Sequence, residues 1–172
     1  MSIPGPTGRR ALVPLENSAW GFESNCFVCE PENDAGLGIA FFHDVEAGVV
    51  VANFVLDDRF SGAPNYVHGG ITLAVLDEAM AWTAIAVAGS FALTRTTTTR
   101  FLRPVAVGGS YRVEGRLEAR NEDGTLDLSA TVTDGEGGPC AEARAEFVPM
   151  DAERAGAAIG TVAGDDATFV AG

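Results

Sequence analysis

The sequence predicts an α+β domain in which a curved antiparallel sheet wraps around one long central helix. Three observations carry this. Residues 71–88 form an 18-residue run without Gly or Pro, charged only at Asp77 and Glu78. Such a run reads as helix, and being apolar nearly all round it reads as buried. Three segments after it, Tyr111–Ala119, Leu126–Val132 and Ala141–Phe147, are apolar at every second position, as half-buried strands are. Tight turns at residues 121–124 and 135–139 join them, which makes an antiparallel meander.

In chain order, residues 1–24 carry Pro4, Gly5, Pro6 and Gly8 and read as a flexible lead. Residues 25–149 hold everything with a folding signal. Within them, Cys26-Phe27-Val28-Cys29 is a Cys-x-x-Cys pair followed by Pro31, Asn33 and Asp34. Zinc usually needs four ligands and no second pair exists. A redox pair wants a βαβ context that is missing. The pair therefore reads as two half-buried thiols around a loop, and no metal or cofactor is expected. Gly36–Phe42 and Gly48–Leu56 are apolar runs across a short polar turn, a β-hairpin signal. The long helix follows and ends at Gly89-Ser90. Leu93–Leu102, with Thr94 and Thr96 to Thr99 in line, reads as strand. Residues 150–172 are rich in Ala, Gly and Asp and read as a mobile acidic tail.

Composition narrows the function. The chain has 172 residues and a net charge of -13, enough for one domain and the wrong sign for nucleic acid or an anionic membrane surface. Three cysteines are too few and odd in number for a disulfide framework. No basic stretch followed by an apolar one opens the chain, so a cytoplasmic setting is expected. The apolar helix barely reaches membrane-spanning length, and each central acid would cost about 3 kcal/mol on insertion. No membrane partner is expected.

The helix and its lead-in supply the candidate chemistry. His68-Gly69-Gly70 places a helix N-terminus behind a turn, and Asp77 puts a carboxylate among Leu73, Ala74, Met80 and Ala81. Burying a carboxylate is costly unless something compensates. The two features read as halves of one active site. Nine residues of helix separate His68 from Asp77, roughly 13 Å along the axis and about 180° around it. They cannot meet within one chain, so a two-fold homodimer, alone or as a dimer of dimers, is expected to pair them. One sheet covers only one side of an all-apolar helix, which points the same way.

These residues resemble the hotdog fold, and within it the PaaI-like acyl-CoA thioesterases. The resemblance rests on His68-Gly69-Gly70, on Asp77-Glu78, on Thr94, on Arg103-Pro104 and on Val107-Gly108. It extends upstream to the Cys26–Cys29 segment, Asn33 and Gly36-Leu37, and covers about residues 25–148. It implies hydrolysis of an acyl-CoA. The Gly69 backbone N–H would hold the thioester oxyanion, and Asp77 would act as nucleophile or as base on water. His68 would position the loop, and Thr94 would hydrogen-bond near Asp77. Gly70 and Asn65 would shape the substrate site. Some members carry an Asn six residues before the His; here it is Gly62, while Asn65 tolerates the positive φ that the turn could need. Arg95, Arg100 and Arg103 are candidates for the phosphates of coenzyme A, Arg100 first.

Two readings compete. A hotdog enoyl-CoA hydratase pairs its Asp with a downstream His, whereas His43 and His68 both precede Asp77. A non-catalytic acyl-binding dimer is the other alternative, and a carboxylate kept in an apolar helix argues against it without deciding the matter.

Overall fold

The computed structural model describes residues 11–20 and 24–159. Nine strands and two α-helices follow in the order β1 (Leu12–Leu15), β2 (Phe41–Asp44), β3 (Val49–Val55), β4 (Ser61–Ala63), β5 (Tyr66–Val67), α1 (Gly69–Ala86), β6 (Ala92–Phe101), β7 (Ser110–Arg120), β8 (Leu126–Asp134), β9 (Pro139–Pro149) and α2 (Ala152–Ile159). Seven strands form one sheet in the order β1-β2-β3-β7-β8-β9-β6, and β4 and β5 make a separate small ribbon. Every pairing is antiparallel. The meander β7-β8-β9 sits where the alternation places it, and among the described residues the Thr-rich β6 pairs with β9 alone, at the sheet edge.

The sheet packs on α1. Val75, Leu76, Ala79, Met80, Trp82 and Ile85 on the helix are buried with Val113, Leu128, Val132 and Phe147 on the strands. Ala130, Ala141 and Ala143 are buried too, and such short side chains let the helix lie close to the sheet. Closest of all is Gly115 on β7. A Cβ there would come within 2.6 Å of Ala79 O, so only glycine fits. Thr83, buried at the same contact, donates its Oγ1 to Ala79 O at 2.7 Å and leaves no unpaired hydroxyl. Gly89 at φ +69 ends the helix, with Ser90 N–H on Ala84 O at 2.9 Å. By length and composition α1 could cross a membrane, but half of it is buried against the sheet, as a core helix is.

Five expectations need correction. The helix is not buried all round: Leu73, Ala74, Asp77, Glu78 and Ala81 form a half-exposed stripe, because one sheet covers one side. The helix also starts at Gly69 rather than Ile71, since His68 caps it. Strand β2 starts at Phe41, not Gly36; Leu37 and Ile39 are apolar because their loop packs on the core, with Leu37 N–H on Phe27 O at 2.7 Å and Ile39 N–H on Val28 O at 2.9 Å. The lead read as flexible contains β1, which pairs with β2 as an edge strand and so tolerates Pro14. The tail read as mobile contains α2, anchored by the buried Ala155. The rest of that lead and tail, residues 1–10, 21–23 and 160–172, lies outside the described residues.

Candidate active site

The His68 turn is built by backbone pairing on both sides. Val67 N–H donates to Val105 O at 2.8 Å and His68 N–H to Phe60 O at 2.9 Å. His68 then caps α1 from an extended backbone, φ -60 and ψ 134. Its Nδ1 accepts from Gly70 N–H at 2.9 Å, so this nitrogen carries no proton and Nε2–H is the donor of the neutral ring. His68 O accepts from Ile71 N–H at 2.9 Å and Thr72 N–H at 3.1 Å. The first four amides of a helix lack intrahelical partners. Here Thr72 N–H makes the first intrahelical bond, and of the four amides before it His68 N–H is on Phe60 O, Gly70 and Ile71 N–H are on His68, and Gly69 N–H alone is left without a partner among the described residues. Gly69 is exposed, 3.7 Å from the Phe101 ring as measured from where its Cβ would be. The open amide and the positive end of the helix dipole together suit a developing anion.

Gly62, the position of the missing Asn, packs under His68. A Cβ at Gly62 would lie 2.9 Å from His68 Cα, so a side chain there would displace the turn. Asn65 is exposed in the β4–β5 turn, and its carbonyl accepts from Val107 N–H at 3.0 Å. It does not take a positive φ; among the described residues only glycines do. The left-handed turn that Asn65 would tolerate is therefore not used: the β4–β5 ribbon turns without it.

Asp77 and Thr94 do meet. Thr94 Oγ1 donates to Asp77 Oδ1 at 2.7 Å across the α1–β6 contact, leaving the other carboxylate oxygen free of this bond. Both are accessible, Asp77 on the half-exposed stripe and Thr94 on the exposed edge strand. Gly69 and Asp77 lie eight residues apart on one continuous helix, about 12 Å along its axis. One chain thus holds the two halves apart.

One helical step from Asp77, Glu78 turns toward the Cys26–Cys29 loop. Cys26 Sγ is 3.4 Å from Glu78 Oε1, and Val28 N–H donates to Cys26 Sγ at 3.3 Å. Burial, helped by the neighbouring sulfur charge, pushes the Glu78 carboxyl up to about 8. The hydrogen bond from Cys29 holds the Cys26 thiol down to about 5, and the same bond, with burial, raises Cys29. Sequence reading kept the Cys pair and Glu78 apart because 49 residues separate Cys29 from Glu78, and no spacing rule links a loop to a helix at that range.

The arginines do not make a bare cationic patch. Arg95 pairs with Glu146 at 3.1 Å, Arg100 with Glu142 at 3.7 Å and Arg103 with Asp134 at 2.8 Å. All three are largely exposed, and such pairs are worth about 0–1 kcal/mol. Arg100 has the longest of these pairs and the most exposed side chain of the three.

Residues 64–141, which include the turn, α1 and β6 through the start of β9, match the sequence model of the thioesterase superfamily. No curated protein sequence matches the chain. Among solved structures, one thioesterase superfamily protein is 24% identical with a TM-score of 0.63, covering 69% of this chain. This chain spans only 57% of that protein's length. A phenylacetic acid degradation-related protein from Ralstonia eutropha JMP134 is 29% identical over 64% of this chain and 84% of its own, with a TM-score of 0.56. A Streptococcus mutans UA159 protein, solved bound to acetyl CoA, is 20% identical over 60% of this chain and 82% of its own, with a TM-score of 0.56. The single helix laid across an antiparallel sheet is thus a hotdog fold, shared with these solved structures, and residues 64–141 carry the sequence pattern of the thioesterase superfamily.

Proposed function

We propose that the protein hydrolyses an acyl-CoA to the free acid and coenzyme A. The observation that carries this is the unpartnered Gly69 amide at the start of α1. In this reading the thioester carbonyl accepts from Gly69 N–H. Asp77 takes a proton from water, whose oxygen attacks the carbonyl carbon. The resulting oxyanion stays on the Gly69 amide, the C–S bond breaks, and the departing thiolate takes up the proton. Thr94 holds Asp77 in place through the 2.7 Å bond. Direct attack by Asp77 through an acyl-enzyme anhydride uses the same residues. Acyl-CoA is the substrate class in line with the Streptococcus mutans relative solved with acetyl CoA, and exposed Arg100 is the candidate contact for its phosphates.

The site is completed between two copies in this reading. Gly69 of one chain works with Asp77 of the partner subunit, since the helix keeps the two apart within a chain. The half-exposed stripe on α1 and the exposed Leu93 and Phe101 on edge strand β6 supply apolar surface for the contact. The testing experiment is a panel of short, long and aromatic acyl-CoA thioesters, followed by release of free thiol, with Asp77→Asn as comparator. Turnover of at least one member, lowered roughly 100-fold or more by Asp77→Asn, is expected for a positioned acid–base group. Turnover unaffected in folded Asp77→Asn protein removes Asp77 from the reaction.

A further inference from the structure

We propose that Cys26, Cys29 and Glu78 form a binding site for a zinc-class divalent cation that ties the cysteine turn to the middle of α1. One ligand atom from each of the three residues lies within 4.8 Å of the others. A tetrahedral zinc, with about 2.3 Å to sulfur and about 2.1 Å to oxygen, sets its sulfur and oxygen ligands roughly 3.6 Å apart. Cys26 Sγ and Glu78 Oε1 are 3.4 Å apart, close to that edge. Two thiolates and one carboxylate make a donor set that favours zinc over magnesium or calcium, which take oxygen alone.

The groups around the cluster suit a metal site as well. Each sulfur accepts an N–H: Val28 N–H reaches Cys26 Sγ at 3.3 Å, and Asn17 Nδ2 reaches Cys29 Sγ at 3.6 Å. Hydrogen bonds of this kind fix the orientation of metal ligands. The turn itself is held by Glu30 N–H on Cys26 O at 3.3 Å and by the two bonds from Leu37 and Ile39, while Glu78 stands on the best-packed helix of the fold. The ligands therefore need little rearrangement. Cys26, Glu78 and Trp82 also border a cavity of about 400 Å³, which leaves room for water or another group in the fourth position. Trp82 is 2% exposed, and its buried indole N–H has no partner among the described residues.

The test uses the full chain, chelator-treated, kept reduced with a phosphine, and titrated with Zn²⁺ and with Co²⁺. The expected result is about one metal per chain, with thiolate-to-cobalt charge-transfer absorbance in the near ultraviolet and the visible bands of tetrahedral Co²⁺. Cys26→Ser and Glu78→Gln should each weaken binding by more than the roughly 10- to 100-fold that loss of an outer hydrogen-bond partner costs. Cys140→Ser, on the buried third cysteine of β9, should leave binding and spectrum unchanged. Wild-type protein that takes up no stoichiometric metal overturns the proposal, whether or not Cys26 and Cys29 oxidise to a disulfide in air. Uptake indifferent to both Cys26→Ser and Glu78→Gln overturns it too.

Discussion

Gly69→Pro isolates the amide on which the proposed reaction rests. Proline deletes the N–H and little else at this position. Gly69 is the first residue of α1 after its cap, where proline is favoured because no intrahelical bond is lost. The residue before a proline must be extended, and His68 already is, at φ -60 and ψ 134. Ile71 and Thr72 keep their bonds to His68 O, and Gly70 keeps its bond to His68 Nδ1. Stability should be unchanged or slightly raised, since proline restricts the unfolded chain by about 0.4–1 kcal/mol. Losing one oxyanion donor costs about 100- to 1000-fold in kcat, or about 2.7–4 kcal/mol. Because the donor acts chiefly on the transition state, kcat and kcat/KM should fall together with KM little changed. The companion variant is Gly69→Ala, which retains the N–H and places its Cβ at an ordinary 3.7 Å from the Phe101 ring; it should retain most activity. Thiol release from the best acyl-CoA, with melting curves for both proteins, measures all of this. Folded Gly69→Pro protein with kcat within about threefold of wild type refutes the assignment of the oxyanion to this amide.

The shared site predicts rescue: mixing inactive Gly69→Pro and Asp77→Asn chains makes about half the dimers mixed, each with one intact site of two, so roughly a quarter of wild-type activity should return. Parental activity after demonstrated subunit exchange rules the sharing out. Thr94→Val removes the donor to Asp77, a hydrogen bond to a charged group worth about 1.5–3 kcal/mol; kcat should drop roughly 10- to 150-fold, and an unchanged kcat would make Thr94 a bystander. Gly115→Ala forces a methyl into Ala79 and Thr83 and should cost about 1–3 kcal/mol by overpacking, read as a lower urea midpoint; an equal midpoint would mean that helix and sheet separate freely there.

Much of the scaffold was legible because its signals are periodic. The meander strands alternate and the helix run is unbroken, and neither needs distant context. Strand β1 was hidden because Leu-Val-Pro-Leu is short, carries a proline, and becomes a strand only through its pairing with β2. The Gly36–Ala40 stretch misled for the opposite reason: buried loops are as apolar as strands. At the site, the chain position of Thr94 beside the Asp77 helix was readable from the motif. The 2.7 Å contact itself depends on how β6 lies over α1. The Gly69 amide was readable as the oxyanion donor from the motif, but that it alone stays unclaimed emerges only once the amides around it are seen paired to His68 and Phe60. The nearness of Glu78 to the cysteine turn likewise depends on tertiary packing alone.

The close seat of α1 on Gly115 limits how this domain could adapt to new substrates. A helix wedged by backbone-to-backbone approach cannot slide or tilt to widen a site without lifting off the sheet along Ala79 and Thr83. Diversification is thereby pushed onto side chains that the wedge leaves free. Leu73, Ala74 and Ala81 flank Asp77 on the half-exposed stripe, and enlarging or trimming them alters the shape beside the carboxylate while its backbone position holds. A library confined to those three positions should change acyl preference at little cost to folding, whereas one spread over the buried face of α1 should yield mostly unfolded chains.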